Sequence, residues 1–322
     1  MSTGLRILLA EPEHFDAEAA AVLETLGTVE RRALAPGAME AALQNYDVIW
    51  FRLGHRVTRA MLTDEVRCRV LATPVTGLDH IDLDACRQVG MEVVSLRGET
   101  AFLKEIRATA EMTLALALAL MRRIPQAADS VESGVWDRDR FLGRELYGKT
   151  AGIVGVGRLG EIVAGYFCAL GMEVIGYDPR LDFPVEAARR MDTLDALLQE
   201  ADVVSVHVNY DVSTRHLIDA SAFAVMKPDA ILVNTARGGV IEEAALLDAL
   251  TSGRFGGAAL DVLDGEPDID ASHPLVVYAR KHDNLLIVPH LGGNTVESWQ
   301  KTERFLARRV QEVMEGFQQS VY

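Results

Sequence analysis

The order of apolar and polar positions predicts strands alternating with helices along most of the chain. Short apolar runs fall at residues 5–9, 48–51, 69–72 and 91–94, with residues 28–31 a weaker candidate. Between them, residues 16–26 and 39–45 repeat apolar side chains at helical steps, so each is expected to bury one face. Strand–helix alternation implies parallel pairing through right-handed crossovers, and therefore a small doubly wound domain. Residues 100–123 then read as a crossing segment and a long helix. Its Leu/Ala alternation mimics a strand by period, but Leu and Ala are strong helix formers and the run is long for a strand. Apolar nearly all round, this helix must be buried, either between domains or against a second subunit.

The alternation resumes at Ala151. Strand patterns lie at residues 152–156, 174–178, 202–207, 230–234, 257–261 and 285–288, and helical ones follow Gly157 and cover residues 194–199 and 242–250. This fits a Rossmann sheet of six strands or close to it. Residues 264–274 form the most polar connection, a loop, and residues 297–317 an amphipathic final helix.

With 322 residues and 49% hydrophobic side chains, the chain has material for two domains with substantial cores. A net charge of −15 disfavours nucleic acid or anionic membrane as partners, though not a local anion site. Cys68, Cys86 and Cys168 are scattered without a C-x-x-C, which argues against a disulfide framework or a zinc site and suits a reducing compartment. The N-terminus reads as a strand rather than a secretory signal, and residues 112–121 are about half a membrane span, so a cytoplasmic protein is expected.

Chemistry enters with Gly155, Gly157 and Gly160, at the G-x-G-x-x-G spacing between a strand and a helix. The first glycine permits the tight turn, the second lets a pyrophosphate approach, and the third lets helix and strand pack closely. Asp178 ends the next strand at the distance expected of a ribose acceptor. Three further features follow later strands, where open α/β sheets place ligands. Arg237 precedes two glycines and offers a planar fork for a carboxylate. Asp261, Asp264 and Glu266 follow one strand, and His290 follows another. Taken singly, each has an ordinary explanation: a surface ion pair, solvated loop acids, a structural histidine. In combination they supply an anion clamp, a carboxylate and a titratable imidazole beside a nucleotide domain, which suits reduction of a 2-keto acid.

Residues 75–82, 146–149 and 225–228, with the glycine run and the three later features in this order, carry a resemblance to a known family. The sequence resembles the D-isomer-specific 2-hydroxyacid dehydrogenases, in particular their phosphoglycerate-dehydrogenase-like branch, from about Val70 onward. That resemblance implies two doubly wound parallel-sheet α/β domains, with a Rossmann NAD-binding domain (107–289) inserted into a flavodoxin-like substrate domain (1–106 and 290–322). It implies a hinge of two crossing segments whose closure excludes water. By motif, Arg237 would clamp the substrate carboxylate, His290 would be the acid/base, and Glu266 would hydrogen-bond His290 to keep a proton available. Backbone amides of Thr76 and Gly77 would complete the carboxylate pocket. Gly155, Gly157, Arg158, Leu159, Gly160, Asp178, His207, Thr235 and Asp261 would bind the cofactor, Asp261 at the nicotinamide carboxamide and Asp178 at the adenosine ribose. Asp178 would also repel a 2′-phosphate, so NAD is expected over NADP, with Arg180 leaving room for the latter. The expected partners are a small anionic 2-keto or 2-hydroxy acid and a second copy through residues 107–150, with no metal.

Two departures from the family pattern stand out. The connection between Ser95 and Glu111 is longer than usual, and its Arg97, Lys104 and Arg107, with Arg52 and His55, are either a second anion site or surface charge. Residues 208–211 replace a turn that often contains proline, leaving the conformation of that loop open. The competing functions are formate or phosphite oxidation, against which Glu266 argues, and an NAD(H)-gated corepressor-like binding module without turnover.

Overall fold

The apolar runs of the N-terminal region pair as a single parallel sheet. The computed structural model describes residues 4–180, 186 and 188–319, and the chain divides into two units, Met1–Ile106 with Thr295–Tyr322, and Arg107–Asn294. In the first unit the chain passes through β1 (Leu5–Leu9), α1 (Ala17–Glu24), β2 (Gly27–Arg31), α2 (Met39–Asn45) and β3 (Val48–Trp50). It continues through β4 (Val70–Thr73), α3 (Leu83–Gln88), β5 (Glu92–Ser95) and α4 (Thr100–Leu103). The strand order is β2-β1-β3-β4-β5, all parallel, which is the flavodoxin-like order. Residues 28–31, the weakest strand pattern, form the edge strand β2. Its side chains are only half-buried, which is why the apolar signal there is faint.

The inner strands β1, β3 and β4 are covered on both faces, so they read as continuous apolar runs rather than alternations. The short helix α4 falls in the extra connection. Its Phe102 stacks on Phe305 with ring centroids 4.0 Å apart, so the added segment is pinned by apolar contact.

The second unit opens with α5 (Ala108–Met121) and α6 (Ile124–Glu132), then β6 (Thr150–Val154), α7 (Arg158–Ala169), β7 (Glu173–Tyr177) and β8 (Arg189–Arg190). It proceeds through α8 (Leu194–Glu200), β9 (Val203–Val206), α9 (Ala220–Val225), β10 (Ile231–Asn234), α10 (Glu243–Thr251), β11 (Gly257–Leu260), α11 (Pro274–Ala279) and β12 (Leu285–Ile287). The order is β12-β11-β10-β9-β6-β7-β8 in seven strands, a doubly wound Rossmann sheet that reverses direction between β6 and β9. The strand beyond the six patterns seen in the sequence is β8, two arginines with no apolar signature.

The Leu/Ala helix α5 finds its partners inside its own unit. Ala110, Leu116, Ala117 and Leu120 pack with Val163, Ala164 and Phe167 of α7 and with Val233 and Ala259 of the sheet. Six of the exposed large apolar side chains come just after it, at Ile124, Val131, Val135, Trp136, Leu142 and Tyr147.

The final helix, α12 (Val296–Gln319), returns to the first unit. It buries Leu306, Ala307, Val310 and Met314 against Ala19, Ala20 and Leu23 of α1. A charged network fastens this contact. Arg304 makes two hydrogen bonds of 2.9 Å to Asp16, and the buried Glu303 accepts from the Asp16 amide at 2.7 Å and pairs with Arg52. Arg52 also donates to the Glu11 carbonyl at 2.9 Å, and its guanidinium carbon lies 3.9 Å from the centroid of the Trp299 ring, so carboxylate, backbone and ring together hold it inside this unit. Glu303→Ala leaves that guanidinium uncompensated beside a cavity, and should cost about 3–5 kcal/mol in denaturant unfolding. A change below about 1 kcal/mol would class the pair with exposed ones.

All three cysteines are thiols, with Cys68 and Cys86 buried. Among the described residues, no helix is long and apolar enough to cross a membrane, and no group of three or more His, Cys, Asp or Glu side chains is placed to hold a metal ion.

Candidate functional site

The glycine run closes the C-terminal end of β6. Gly155 has a φ of 90°, in the left-handed region, and a Cβ there would stand 2.9 Å from the His207 carbonyl. At Gly160, inside α7, a Cβ would lie 2.2 Å from the Gly155 oxygen, so helix and strand approach closer than any other side chain allows. Gly157 caps α7, and the nearest atom to a Cβ built there is an Arg180 nitrogen at 3.8 Å. Among the described residues no atom crowds the helix start at Gly157, which is what close approach of an anion to the first turn requires. Arg158 and Leu159 begin the helix. Arg158 is half-buried, and burial and the neighbouring Arg107 charge both disfavour its cationic form, which an anion at this position would relieve.

Asp178, at the end of β7, accepts from the Val156 amide at 3.0 Å, which ties the ribose-side carboxylate to the glycine turn. Arg180 grips it with Nε and Nη2, each at 3.0 Å, and donates to the Val156 carbonyl at 3.1 Å. Burial works to raise the Asp178 carboxyl, but the Arg180 guanidinium and the two amides outweigh it and hold it below the usual carboxylate range. The residues of this half suit an adenine dinucleotide: an open cradle, an anion-accepting helix start and an ionised ribose acceptor.

The chemistry-bearing residues lie at the ends of β9 to β12. His207 follows β9 with Nε2 2.8 Å from the Ser205 hydroxyl, and burial pushes its imidazole down to about 3, so the ring is neutral. The Thr235 hydroxyl meets that of Thr113 on α5 at 2.9 Å. Asn234, fully buried, was not singled out by sequence reasoning, although an asparagine closing an all-apolar strand is a signal. Its amide donates to the Arg237 carbonyl at 2.9 Å and accepts from the Ala236 amide at 3.0 Å, bracketing the turn that presents Arg237.

Asp261, after β11, is 1% exposed. Its two carboxylate oxygens accept from the amides of Leu291 at 2.6 Å and Gly292 at 2.9 Å, and its carbonyl accepts from the His290 amide at 2.8 Å. Burial raises the Asp261 carboxyl, opposed by these amides. Expected at the nicotinamide, this carboxylate thus holds the turn that carries His290.

His290 itself has a φ of 54°. A left-handed backbone at a non-glycine residue is uncommon, and such residues concentrate at functional sites. The ring's Nδ1 is 2.8 Å from Glu266 Oε1, with both side chains about a quarter exposed, 24% and 28%. An ionised carboxylate accepts only, so Nδ1 carries the hydrogen and Nε2 is the nitrogen available for proton transfer. The second unit thereby joins Asp178 to the glycine turn and Asp261 and Glu266 to the His290 turn, and it carries Arg237 on the segment that abuts residues 263–264. Thr76 and Gly77 belong to the first unit, in the turn after β4, where Thr76 is exposed.

A family model described as "D-isomer specific 2-hydroxyacid dehydrogenase, NAD binding domain" matches residues 114–292. The D-3-phosphoglycerate dehydrogenase of Methanocaldococcus jannaschii is 37% identical over 318 residues, covering 97% of this chain and 58% of that protein. The hydroxypyruvate reductase of Thermotoga maritima is 35% identical over 267 residues, covering 82% of this chain and 83% of that one. The chain spans about half the length of the phosphoglycerate dehydrogenases it matches. Among solved structures, the D-lactate dehydrogenase of Aquifex aeolicus complexed with NAD and lactic acid superposes with a TM-score of 0.83 at 29% identity, covering 97% of this chain and 96% of that one.

Proposed function

The chain belongs to the D-isomer-specific 2-hydroxyacid dehydrogenase family, and from that premise we propose that it interconverts a small D-2-hydroxy acid and its 2-keto acid with NAD. The observation that carries this reading is the Glu266–His290 pair, 2.8 Å apart on loops after β11 and β12 of the NAD-binding unit. NAD, when bound, supplies the hydride donor or acceptor. In the reducing direction the Arg237 fork binds the substrate carboxylate and fixes which way its carbonyl points. His290 gives its Nε2 proton to the carbonyl oxygen, and in the oxidising direction it takes that proton back. Glu266 holds Nδ1–H throughout, so the ring neither flips nor changes the nitrogen that reacts.

The compounds in the names of the relatives above, 3-phosphoglycerate, hydroxypyruvate and lactate, share a carboxylate next to a hydroxyl-bearing or keto carbon, and this common element is what Arg237 and His290 are suited to recognise. The configuration is open to test. Racemic 2-hydroxy acids incubated with NAD should lose only the D enantiomer on chiral chromatography, and loss of the L enantiomer would remove the family geometry from this chain.

We also propose a homodimer through residues 107–150. Trp136 is 88% exposed, Leu142 86% and Tyr147 77%, and Ile124, Val131 and Val135 lie in the same stretch. Such exposed aromatic and aliphatic side chains concentrated in one stretch are what a protein interface would cover. Trp136→Glu should shift the mass measured by light scattering from two chains toward one, whereas a wild-type protein that runs as one chain would contradict the dimer.

A further inference from the structure

Glu243 and His273 form a second carboxylate–imidazole pair in the NAD-binding unit, and neither has a role in the mechanism above. An acidic residue in the first turn of a helix ordinarily complements the helix dipole in solvent. Glu243, the first residue of α10, is instead mostly buried, with 20% of its side chain exposed, and both its oxygens are engaged. Oε1 accepts from the Asp264 amide at 2.8 Å, and Oε2 lies 3.2 Å from Nε2 of His273, whose own side chain is 18% exposed. Burial raises the Glu243 carboxyl above its ordinary value, opposed by the Asp264 amide and by His273.

Asp264 and His273 bound the polar, mostly exposed part of the connection between β11 and α11, and Glu266 lies between them. One carboxylate therefore closes both ends of the loop that carries the partner of His290. Within the loop most residues are exposed, and Ile269 is its main apolar anchor. The segment carrying Arg237 abuts the same place. A Cβ at Gly238 would stand 2.0 Å from the Leu263 carbonyl carbon and 2.1 Å from the Asp264 nitrogen, so the backbone after Arg237 rests directly on the start of this loop. His273 also caps α11, which sets its ring where the loop rejoins the helix.

We propose that Glu243, with His273, is a positioning residue that clamps the 264–273 loop and so fixes the Glu266 carboxylate against Nδ1 of His290. The proposal rests on the reading of Glu266 and His290 as the acid/base pair, and its test is chosen to be independent of turnover. The readout is the tautomer of the neutral His290 ring, obtained from its nitrogen chemical shifts in the full-length protein and assigned with His290→Asn. In the wild type the ring is the Nδ1–H tautomer. In Glu243→Ala the loop is released, and the ring should move toward the Nε2–H form, as it should in Glu266→Ala, which removes the acceptor at Nδ1. Glu243→Gln, which keeps an oxygen for the Asp264 amide, should restore most of the Nδ1–H population. Where a 2-keto acid is turned over, kcat for Glu243→Ala should fall by about tenfold or more, as expected for a displaced acid/base group, with NADH affinity unchanged. If Glu243→Ala does not fold, His273→Ala is read the same way. A His290 ring that keeps its wild-type tautomer in the folded alanine variant overturns the positioning role. Absence of turnover in the wild type would instead defeat the oxidoreductase reading, and the tautomer would still decide the role of Glu243.

Discussion

His290→Asn should lower kcat for 2-keto acid reduction by roughly 10²- to 10⁴-fold, the usual contribution of a positioned general acid, while NADH binding persists. Asparagine is the informative substitute for a structural reason. The backbone at this position is left-handed, with φ 54°, and asparagine tolerates that region better than other non-glycine residues. The amide hydrogen bonds to Asp261, which are made by backbone atoms of residues 290 to 292, are therefore kept. What is lost is an imidazole able to give up a proton at Nε2. Stopped-flow measurement of NADH oxidation, with NADH affinity measured in parallel by fluorescence, separates the two effects. An unchanged kcat would remove His290 from the chemistry, and a lost NADH affinity would assign it to cofactor binding.

Arg237→Lys should reduce kcat/KM by about 10- to 100-fold. A hydrogen bond to a charged group is worth about 1.5–3 kcal/mol, and lysine cannot reproduce the two parallel donors of the guanidinium. The turn itself should survive, because the Asn234 side chain holds it through the Arg237 carbonyl and the Ala236 amide rather than through the guanidinium. If the fork binds the carboxylate equally in ground and transition states, the loss appears in KM; if it also orients the carbonyl, kcat falls as well. A variant whose only change is in salt dependence would place Arg237 among the surface charges.

Much of this arrangement is legible in the sequence because it rests on local patterns. The Rossmann order follows from apolar runs alternating with helical periods, and the glycine turn from spacing whose steric cause the structure shows at Gly155 and Gly160. Arg237, Glu266 and His290 stand out because each follows a strand at the edge where such sheets hold ligands. What escaped has one cause: it is made by residues distant in sequence. β8 consists of two arginines recruited as an edge strand by β7 and has no apolar signature. Arg52 looks like a free cation until Glu303, from the last helix, is seen against it. The apolar girth of α5 says only that the helix must be covered, and the fold shows α7 and the sheet of its own unit packed against Ala110, Leu116, Ala117 and Leu120. Glu243 reads as an unremarkable acid at a helix start, since its two partners lie in a loop the sequence marks only as polar. Asp261, too, is visible as a loop acid, but only the fold reveals that its oxygens face the amides behind His290.

The central claim is that Arg237, Glu266 and His290 make an NAD-binding unit into a reductase of 2-keto acids rather than a nucleotide-gated binding module. Steady-state oxidation of NADH across a panel of 2-keto acids, some bearing a phosphate or second carboxylate and some neither, tests it most directly. The expected result is saturable turnover on at least one member, abolished to within the His290→Asn background. Tight NADH binding with no turnover on any member would contradict it.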